Sequence, residues 1–470
     1  MGGIIFLEGE TKIRPGVYIR TTKVGLSEGA VVSQGVAAVL FRSSWGPLNQ
    51  VVDLEAAEEA KNIFGTSGTV AAITEVFRGG ARRVKAFRLG TGGEKGKVNL
   101  QDTEETPVDV VQIEAKYPGG KELNATIRES LVDDSQKELL IYEGFTLADK
   151  FSFAAGGVNE PQNLVDAVNT QGSAWIAAAK LADGNGTVAQ VSQEDLTGGA
   201  DPAVAGTEYE AGLAALEIES WNVLAVDSED AAVHAAVQTY IDRVRGEGKR
   251  VRAVLGEGTG VALATRLTNA QAFNDLAITY VANGFKNSAG TEITGYPAAA
   301  RMAGKSAAAG ITRSLTHEVI EGAVDVAGKL TNAEVEEAVQ SGALVFTANS
   351  SGQVQVEYDI NTLVTLDADQ DAGWRKNRRV RTRDNLIDRI VAAWDPLIGK
   401  VNNSPDGRAT LIAAAQDIVN KMIGEGALVS GTVKLDETNL PAGDSAWFVI
   451  EELADLDSTE KIYLTVGFQF

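Results

Sequence analysis

The last ten residues, 461–470 (KIYLTVGFQF), alternate without a break. Ile462, Leu464, Val466, Phe468 and Phe470 fall on one face; Lys461, Tyr463, Thr465, Gly467 and Gln469 fall on the other. That period predicts a half-buried β-strand, roughly 33 Å long at about 3.3 Å per residue. Burying its apolar face does not by itself offset the entropy of ordering the backbone, so the strand needs an external sheet edge. A shorter run, 17–22 (VYIRTT), follows the turn signal Pro15-Gly16 and also lacks an adjacent hairpin partner. Val17 and Ile19 share one face, Tyr18 and Arg20 the other. Pairing within its own domain is the ordinary expectation for such a first strand.

From residue 34 the pattern changes to alternating strands and helices. Residues 36–41 and 83–89 read as strands, 53–64 and 70–77 as helices. After residue 195 come a helix at 208–216, an apolar strand at 221–226 (WNVLAV) and an amphipathic helix at 229–245. Then follow a strand at 250–255, a helix at 261–266 and a strand at 278–282. Such alternation predicts parallel βαβ units in a doubly wound sheet. Between the two blocks, 93–195 reads as a β-rich insertion with strands at 108–115, 123–131 and 138–144 and a helix at 160–170. Strands at 175–181 and 187–191 flank Asp183-Gly184-Asn185-Gly186, a hairpin signal. The last third is α+β. It has helices at 332–340, 383–398 and 408–423, a hairpin from 343–348 to 354–360, and strands at 427–435, 445–453 and 461–470.

At 470 residues the chain is long enough for about three domains. With 44% hydrophobic and 23% charged residues it has the composition of a globular protein. No apolar run approaches a membrane span, and the opening MGGIIFLEGE lacks a basic start and a long apolar core, so a secretory route is not expected. The absence of cysteine excludes disulfides and thiolate chemistry. A formal charge of -22 argues against general binding to nucleic acid or to an anionic membrane.

Catalytic motifs fail on inspection. His234 sits beside the apolar stripe of a predicted helix, His317 follows Leu315-Thr316, and no Gly-x-Ser-x-Gly elbow occurs. Gly304-Lys305-Ser306 resembles the end of a phosphate-binding loop, but Ala299 stands where the first glycine belongs. Gly256, Gly258 and Gly260 form an incomplete dinucleotide fingerprint, with Val261 where the next glycine belongs. Asp367, Asp369 and Asp371 open a calcium-loop spacing that Ala372 and Arg378 then break. No enzyme activity, cofactor or metal is expected. The sharpest local feature is 374–383 (WRKNRRVRTR), where Arg375, Lys376, Arg378, Arg379, Arg381 and Arg383 form a cationic block in an acidic chain. Three readings stand: phosphate binding, an electrostatic dock for an acidic protein, or a face paired with the chain's own carboxylates such as Asp384 and Asp388.

Taken in order, several stretches resemble the sheath proteins of contractile phage tails and of phage-tail-like particles of Gram-positive bacteria. They are 14–25 (RPGVYIRTTKVG), 34–65, 77–90 (FRGGARRVKAFRLG), 196–201 (LTGGAD), 342–366, 374–408 and 459–466 (TEKIYLTV). The passage into Asp359-Ile360-Asn361-Thr362-Leu363 carries most weight. The resemblance implies a multidomain α/β and α+β protein: an N-terminal arm (1–27), a subtilisin-like central α/β domain without an active site (28–92 and 196–345), the β-rich insertion (93–195) and a C-terminal domain ending in an arm (346–470). It implies a virion-tail or particle subunit, made and assembled in the host bacterial cytoplasm. Its partners would be itself, in six-fold rings stacked as a helical sheath, together with an inner tube protein and baseplate and tail terminator proteins. Neither nucleic acid nor membrane is an expected partner. Contraction would drive the tube through a cell envelope. The arms, carrying Val17, Tyr18, Ile19 and Arg20 at one end and Ile462, Tyr463, Leu464 and Val466 at the other, would add strands to neighbouring subunits. Arg375, Lys376, Arg378 and Arg379 would be candidates to face the tube. A non-contractile structural polymer and a hydrolase with an unrecognised site are the alternative readings.

Overall fold

A computed structural model describes residues 4–5, 18–19, 35–368, 370–466 and 468. The chain divides into two compact units, one of residues 1–39, 72–85 and 216–470, the other of 40–71 and 86–215.

The first unit is built on a parallel sheet. Ala343–Leu344, Ile278–Val281, Arg252–Gly256 and Val223–Val226 lie side by side in that order, and the sheet continues through Val36–Phe41 and Arg83–Arg88. Apart from Arg83–Arg88, whose Arg83 is exposed, their fully buried, mostly apolar runs are those of strands covered on both faces. Ala231–Gly246, capped by the Asp230 carboxylate accepting from the Ala232 N–H at 2.7 Å, buries Val233, Val237, Tyr240, Ile241 and Val244. Helix Tyr296–Ala308 contains Gly304-Lys305-Ser306, so no phosphate loop forms. A Cβ on Gly304 would lie 2.0 Å from the Val76 carbonyl oxygen. Close helix packing, rather than a ligand, requires that glycine. A small antiparallel sheet, Glu292–Ile293 with Gly284–Asn287 and Ala323–Ala327, escaped the sequence pattern because its strands are short and only partly buried. The hairpin Phe346–Ala348 with Val354–Val356 forms as expected.

The C-terminal part of this unit has its own core. Helices Asn377–Trp394 and Pro405–Gly424 pack with the antiparallel pair Leu428–Leu435 and Phe448–Asp455 around Leu386, Val419, Met422 and Ile450. The first of these helices begins six residues before the expected start at 383, inside the basic block. Charge repulsion did not break it, because each cation has a partner, as described below. At the other end of the unit, Ile4–Ile5 pairs in parallel with Tyr18–Ile19. Val17 and Arg20 lie outside the described residues.

The second unit is a β-sandwich. One sheet has the order Thr146–Ala154, Gln136–Glu143, Leu123–Glu129, Val191–Asp195; the other has Ile176–Lys180, Asp109–Ala115, Lys97–Gln101. Helix Glu160–Gln171 packs on strands of both sheets. The strands flanking Asp183-Gly184-Asn185-Gly186 do not form the predicted hairpin. Ile176–Lys180 pairs with Asp109–Ala115, whereas Val191–Asp195, which starts where the expected 187–191 strand ends, pairs with Leu123–Glu129. The turn instead carries the chain from one sheet to the other, pinned by the Asp102 carboxylate, which accepts from the Asn185 N–H at 3.0 Å. Two elements from the resemblance find structural work here. Buried Arg88 donates to the carbonyls of Ser43, Gly46 and Pro118. Asp201 accepts from the Ser44 hydroxyl and the Gly120 N–H, both at 2.8 Å.

Candidate assembly site

Among the described residues, the expected C-terminal stretch 461–470 forms no strand. Residues 461–466 have no regular structure and are all exposed. Ile462, Tyr463, Leu464 and Val466 are 83%, 91%, 84% and 61% exposed, and Phe468 82%. Contiguous exposed apolar side chains of this kind are uncommon on the surface of a folded chain. Of the N-terminal candidates, Tyr18 and Ile19 lie in the short parallel pair.

The segment just before this arm is, by contrast, tied down by the basic block. Arg379 holds the Asp455 carboxylate with both Nε and Nη2, at 2.6 and 2.5 Å. Lys376 Nζ lies 2.6 Å from Asp457 Oδ2 and 2.6 Å from Glu460 Oε2. Arg378 donates to the Ser458 hydroxyl at 2.9 Å. The second carboxylate oxygen of Glu460 accepts from the Ser314 and Thr316 hydroxyls at 2.7 and 3.0 Å. Arg383 stacks over the Trp374 ring at 4.1 Å and faces both Asp371 and Asp455. Asp371 caps the short turn Ala372–Arg375 through the Gly373 N–H. Arg375 is spent elsewhere, donating to the Val339 and Gln340 carbonyls at the end of helix Asn332–Gln340, where that helix leaves acceptors open.

The electrostatics agree with this geometry. Hydrogen bonding to Asp455 raises the Arg379 guanidinium above its ordinary value, against burial. Burial works against the Asp455 charge, yet Arg379 and Arg383 together hold that carboxyl below the usual range. Burial likewise opposes the charge on Lys376, and Asp457 and Glu460 outweigh it. The block is therefore a clasp for 455–460, closest to the reading in which the cations pair with the chain's own carboxylates. The partners differ from those first considered: Asp384 and Asp388 bind Arg245 and Arg250 instead. The acidic run DLDSTE at 455–460 is the signal that could have pointed to the clasp; its distance in sequence hid it.

Behind the clasp lies the Asp359–Leu363 passage. Asp359 accepts from the Leu315 N–H, the Asn377 amide and Arg381, at 3.0, 3.0 and 3.1 Å. Asn361 donates to the Trp374 carbonyl, and Thr362 exchanges hydrogen bonds with Asp275. These buried polar groups lock the start of the basic helix to the parallel sheet.

The residues tested for chemistry are packed rather than poised. His234 is 2% exposed, its Nε2 is 2.8 Å from the Ser228 carbonyl oxygen, and burial lowers its pKa. His317 takes a positive φ of 59° in a turn. Among the described residues no group of three or more His, Asp or Glu could hold a metal ion. No helix among them is long and apolar enough to cross a membrane.

Three family profiles match consecutive parts of the chain: the phage tail sheath β-sandwich domain at residues 91–201, the sheath central domain at 203–362 and the sheath C-terminal domain at 369–469. The chain belongs to the contractile tail sheath proteins. Along its length this sheath chain is similar to the phage-like element PBSX protein XkdK of Bacillus subtilis, at 26% identity over 99% of each chain. The tail sheath protein of Clostridium phage phiCD119 is 25% identical over 47% of this chain and 58% of that one. The crystal structure of a sheath tail protein from Desulfitobacterium hafniense superposes with a TM-score of 0.75 at 25% identity, covering 97% of this chain and 100% of that one. The anti-feeding prophage sheath, solved as a contracted helical sheath, shares the fold at a TM-score of 0.53 and 13% identity, over 98% of this chain and 100% of that one.

Proposed function

We propose that this sheath subunit assembles as stacked six-fold rings around an inner tube and contracts to drive that tube through a cell envelope. Its place would be a virion tail or a phage-tail-like particle, put together in the bacterial cytoplasm with baseplate and terminator proteins at the ends. The central parallel sheet is read as a subtilisin-like scaffold without the protease's site. The observation that carries the proposal is the arm: five described apolar or aromatic side chains from Ile462 to Phe468 stand in water on a segment whose root is fixed. Laid on a neighbour's sheet edge, the arm gains backbone hydrogen bonds that give affinity, while alternate side chains set the register. The N-terminal arm, with Val17, Tyr18, Ile19 and Arg20, serves as the counterpart. A tube dock through Arg375, Lys376, Arg378 and Arg379 would first have to open the clasp, so in this reading the block's primary task is to hold the arm. No fuel is needed; contraction exchanges a trapped packing for larger interfaces across many subunits.

Purified full-length protein is expected to form rings or tubes in negative-stain electron microscopy. Deletion of residues 461–470 should abolish them and leave a folded, soluble monomer by circular dichroism and sedimentation. A deletion variant that still forms tubes would overturn the arm's role.

A further inference from the structure

Helix Ala231–Gly246 meets a corner of the parallel-sheet layer, residues 273–277, through two carboxyl groups. Asp275 sits in that corner, after the left-handed Asn274 that ends helix Leu263–Phe273 and shortly before strand Ile278–Val281. The corner is otherwise well held. Gln238 of the helix donates to the Phe273 carbonyl at 2.9 Å, and Asn274 accepts from the Val364 and Thr365 N–H groups. The Asp275 N–H donates to the Thr362 hydroxyl at 3.1 Å, and that hydroxyl donates to the Asp275 carbonyl at 3.0 Å. One oxygen of the Asp275 carboxyl, Oδ1, accepts from the Ala277 N–H at 2.7 Å. The other, Oδ2, is buried and has no hydrogen-bond partner. What stands against this carboxyl is a second one: Asp242, one turn from the end of the helix, lies within hydrogen-bond reach of it.

Two ionised carboxylates at this distance repel, and neither has a proton to donate. Arg245, on the same helix, does not resolve the contact. Its Nη1 and Nη2 hold Asp384 at 3.0 and 2.8 Å, so it acts on Asp275 through space. Beyond it, Arg250 is held by Asp388 at 3.3 Å. Water does not reach Asp275 Oδ2 and so cannot supply the missing donor; a proton on Asp242 can. We infer that Asp242 and Asp275 share one proton, in a carboxyl–carboxylate hydrogen bond that ties the helix to the corner and opens when the proton leaves. The outer side of Asp242 is exposed, so that proton exchanges with solvent. Partial burial, with the Asp275 charge and hydrogen bond adding and Arg245 opposing, lifts Asp242 from 3.8 to about 7. Over that span the folded protein keeps a proton that the unfolded chain gives up. The stability it contributes is lost as pH climbs to about 7, with no further change above. Through Thr362 the joint reaches the Asp359–Leu363 passage behind the clasp, which makes it a pH-sensitive element of the subunit.

The test is thermal melting of the full-length protein from about pH 5 to about pH 8.5 at fixed ionic strength. Asp242→Asn keeps a donor toward Asp275 at every pH. Its melting temperature relative to the native protein should rise by roughly 2–4 °C up to about pH 7 and then level off. Asp275→Asn, which offers a donor in the opposite direction, should behave in the same way. In infrared spectra, the part of the protonated-carboxyl band that the native protein loses between about pH 6 and about pH 8.5 should be absent from both variants. A constant melting difference across the range, or a band change that both variants retain, would overturn the assignment. So would recovery of native melting by added calcium at the upper pH, because the pair would then be a cation site.

Discussion

Single side chains in this protein are placed by what they would otherwise lack. Lys137 and Glu160 form a buried pair at 2.8 Å, with Lys137 donating to the Val188 carbonyl and Glu160 accepting from the Gly156 and Val188 N–H groups. Removing one partner strands the other charge in the sandwich core. Lys137→Met is therefore expected to destabilise the protein by about 3–5 kcal/mol, read from the urea midpoint of the sandwich transition. Asp388 offers a pH-dependent case. Burial, against Arg250 and with Asp384 adding, lifts its carboxyl from 3.8 to about 6. Between those values the unfolded chain gives up the proton while the folded chain keeps it. Stability falls as pH rises through that window and levels off above it. Asp388→Asn should remove this part of the slope, so the stability difference between native and variant should change from pH 4.5 to 6.5 and stay constant above. A constant difference throughout would rule the reading out.

Elements, next, show how packing reassigns what periodicity suggests. Helix Tyr296–Ala308 turns a phosphate-loop remnant into a packing face. Gly304→Ala should cost about 1–3 kcal/mol by pressing a methyl group on the Val76 carbonyl, measurable by thermal melting, with no change in nucleotide binding because none is expected. The basic helix was legible as a charge run but not as a clasp, since the acidic run it holds lies some seventy-five residues further on. The hairpin expected around Asp183-Gly184-Asn185-Gly186 failed for a related reason. Turn chemistry reports a reversal of the chain, not which strands then pair, and here each found a longer partner in a different sheet. Five strands of the parallel sheet were readable, because buried parallel strands carry a clear apolar run; Val51–Leu54, whose last residues fall in the stretch that reads as a helix, and Ala343–Leu344, which reads as part of a hairpin arm, are too short to show one.

For the whole molecule, the assembly proposed above would divide its work between the clasp and the arm, one fixing the point from which the other departs. Breaking the clasp should weaken assembly without unfolding the subunit. Arg379→Ala is expected to raise the protein concentration needed for tube formation by roughly 10-fold, the effect of losing about 1.4 kcal/mol per joint. Assembly by the variant should also depend less on salt than that of the native protein, because a partly buried charge pair has been removed. Light scattering across a salt series measures both. If Arg379→Ala assembles as the native chain does, the clasp has no part in presenting the arm.

The sequence by itself determined most of the local alternation of strands and helices and the sheath family to which the chain belongs, and it raised the expectation that 461–470 needs an edge outside itself. Those rest on short-range periods and on ordered stretches of similar residues, both present in one dimension. The tertiary structure alone decided where the cations go, which strands pair in the sandwich, and that the arm finds no edge within the described parts of its own chain. Charge pairing and sheet register depend on which distant segments meet. A carboxylate at 455 and a guanidinium at 379 are neighbours only once the chain has folded.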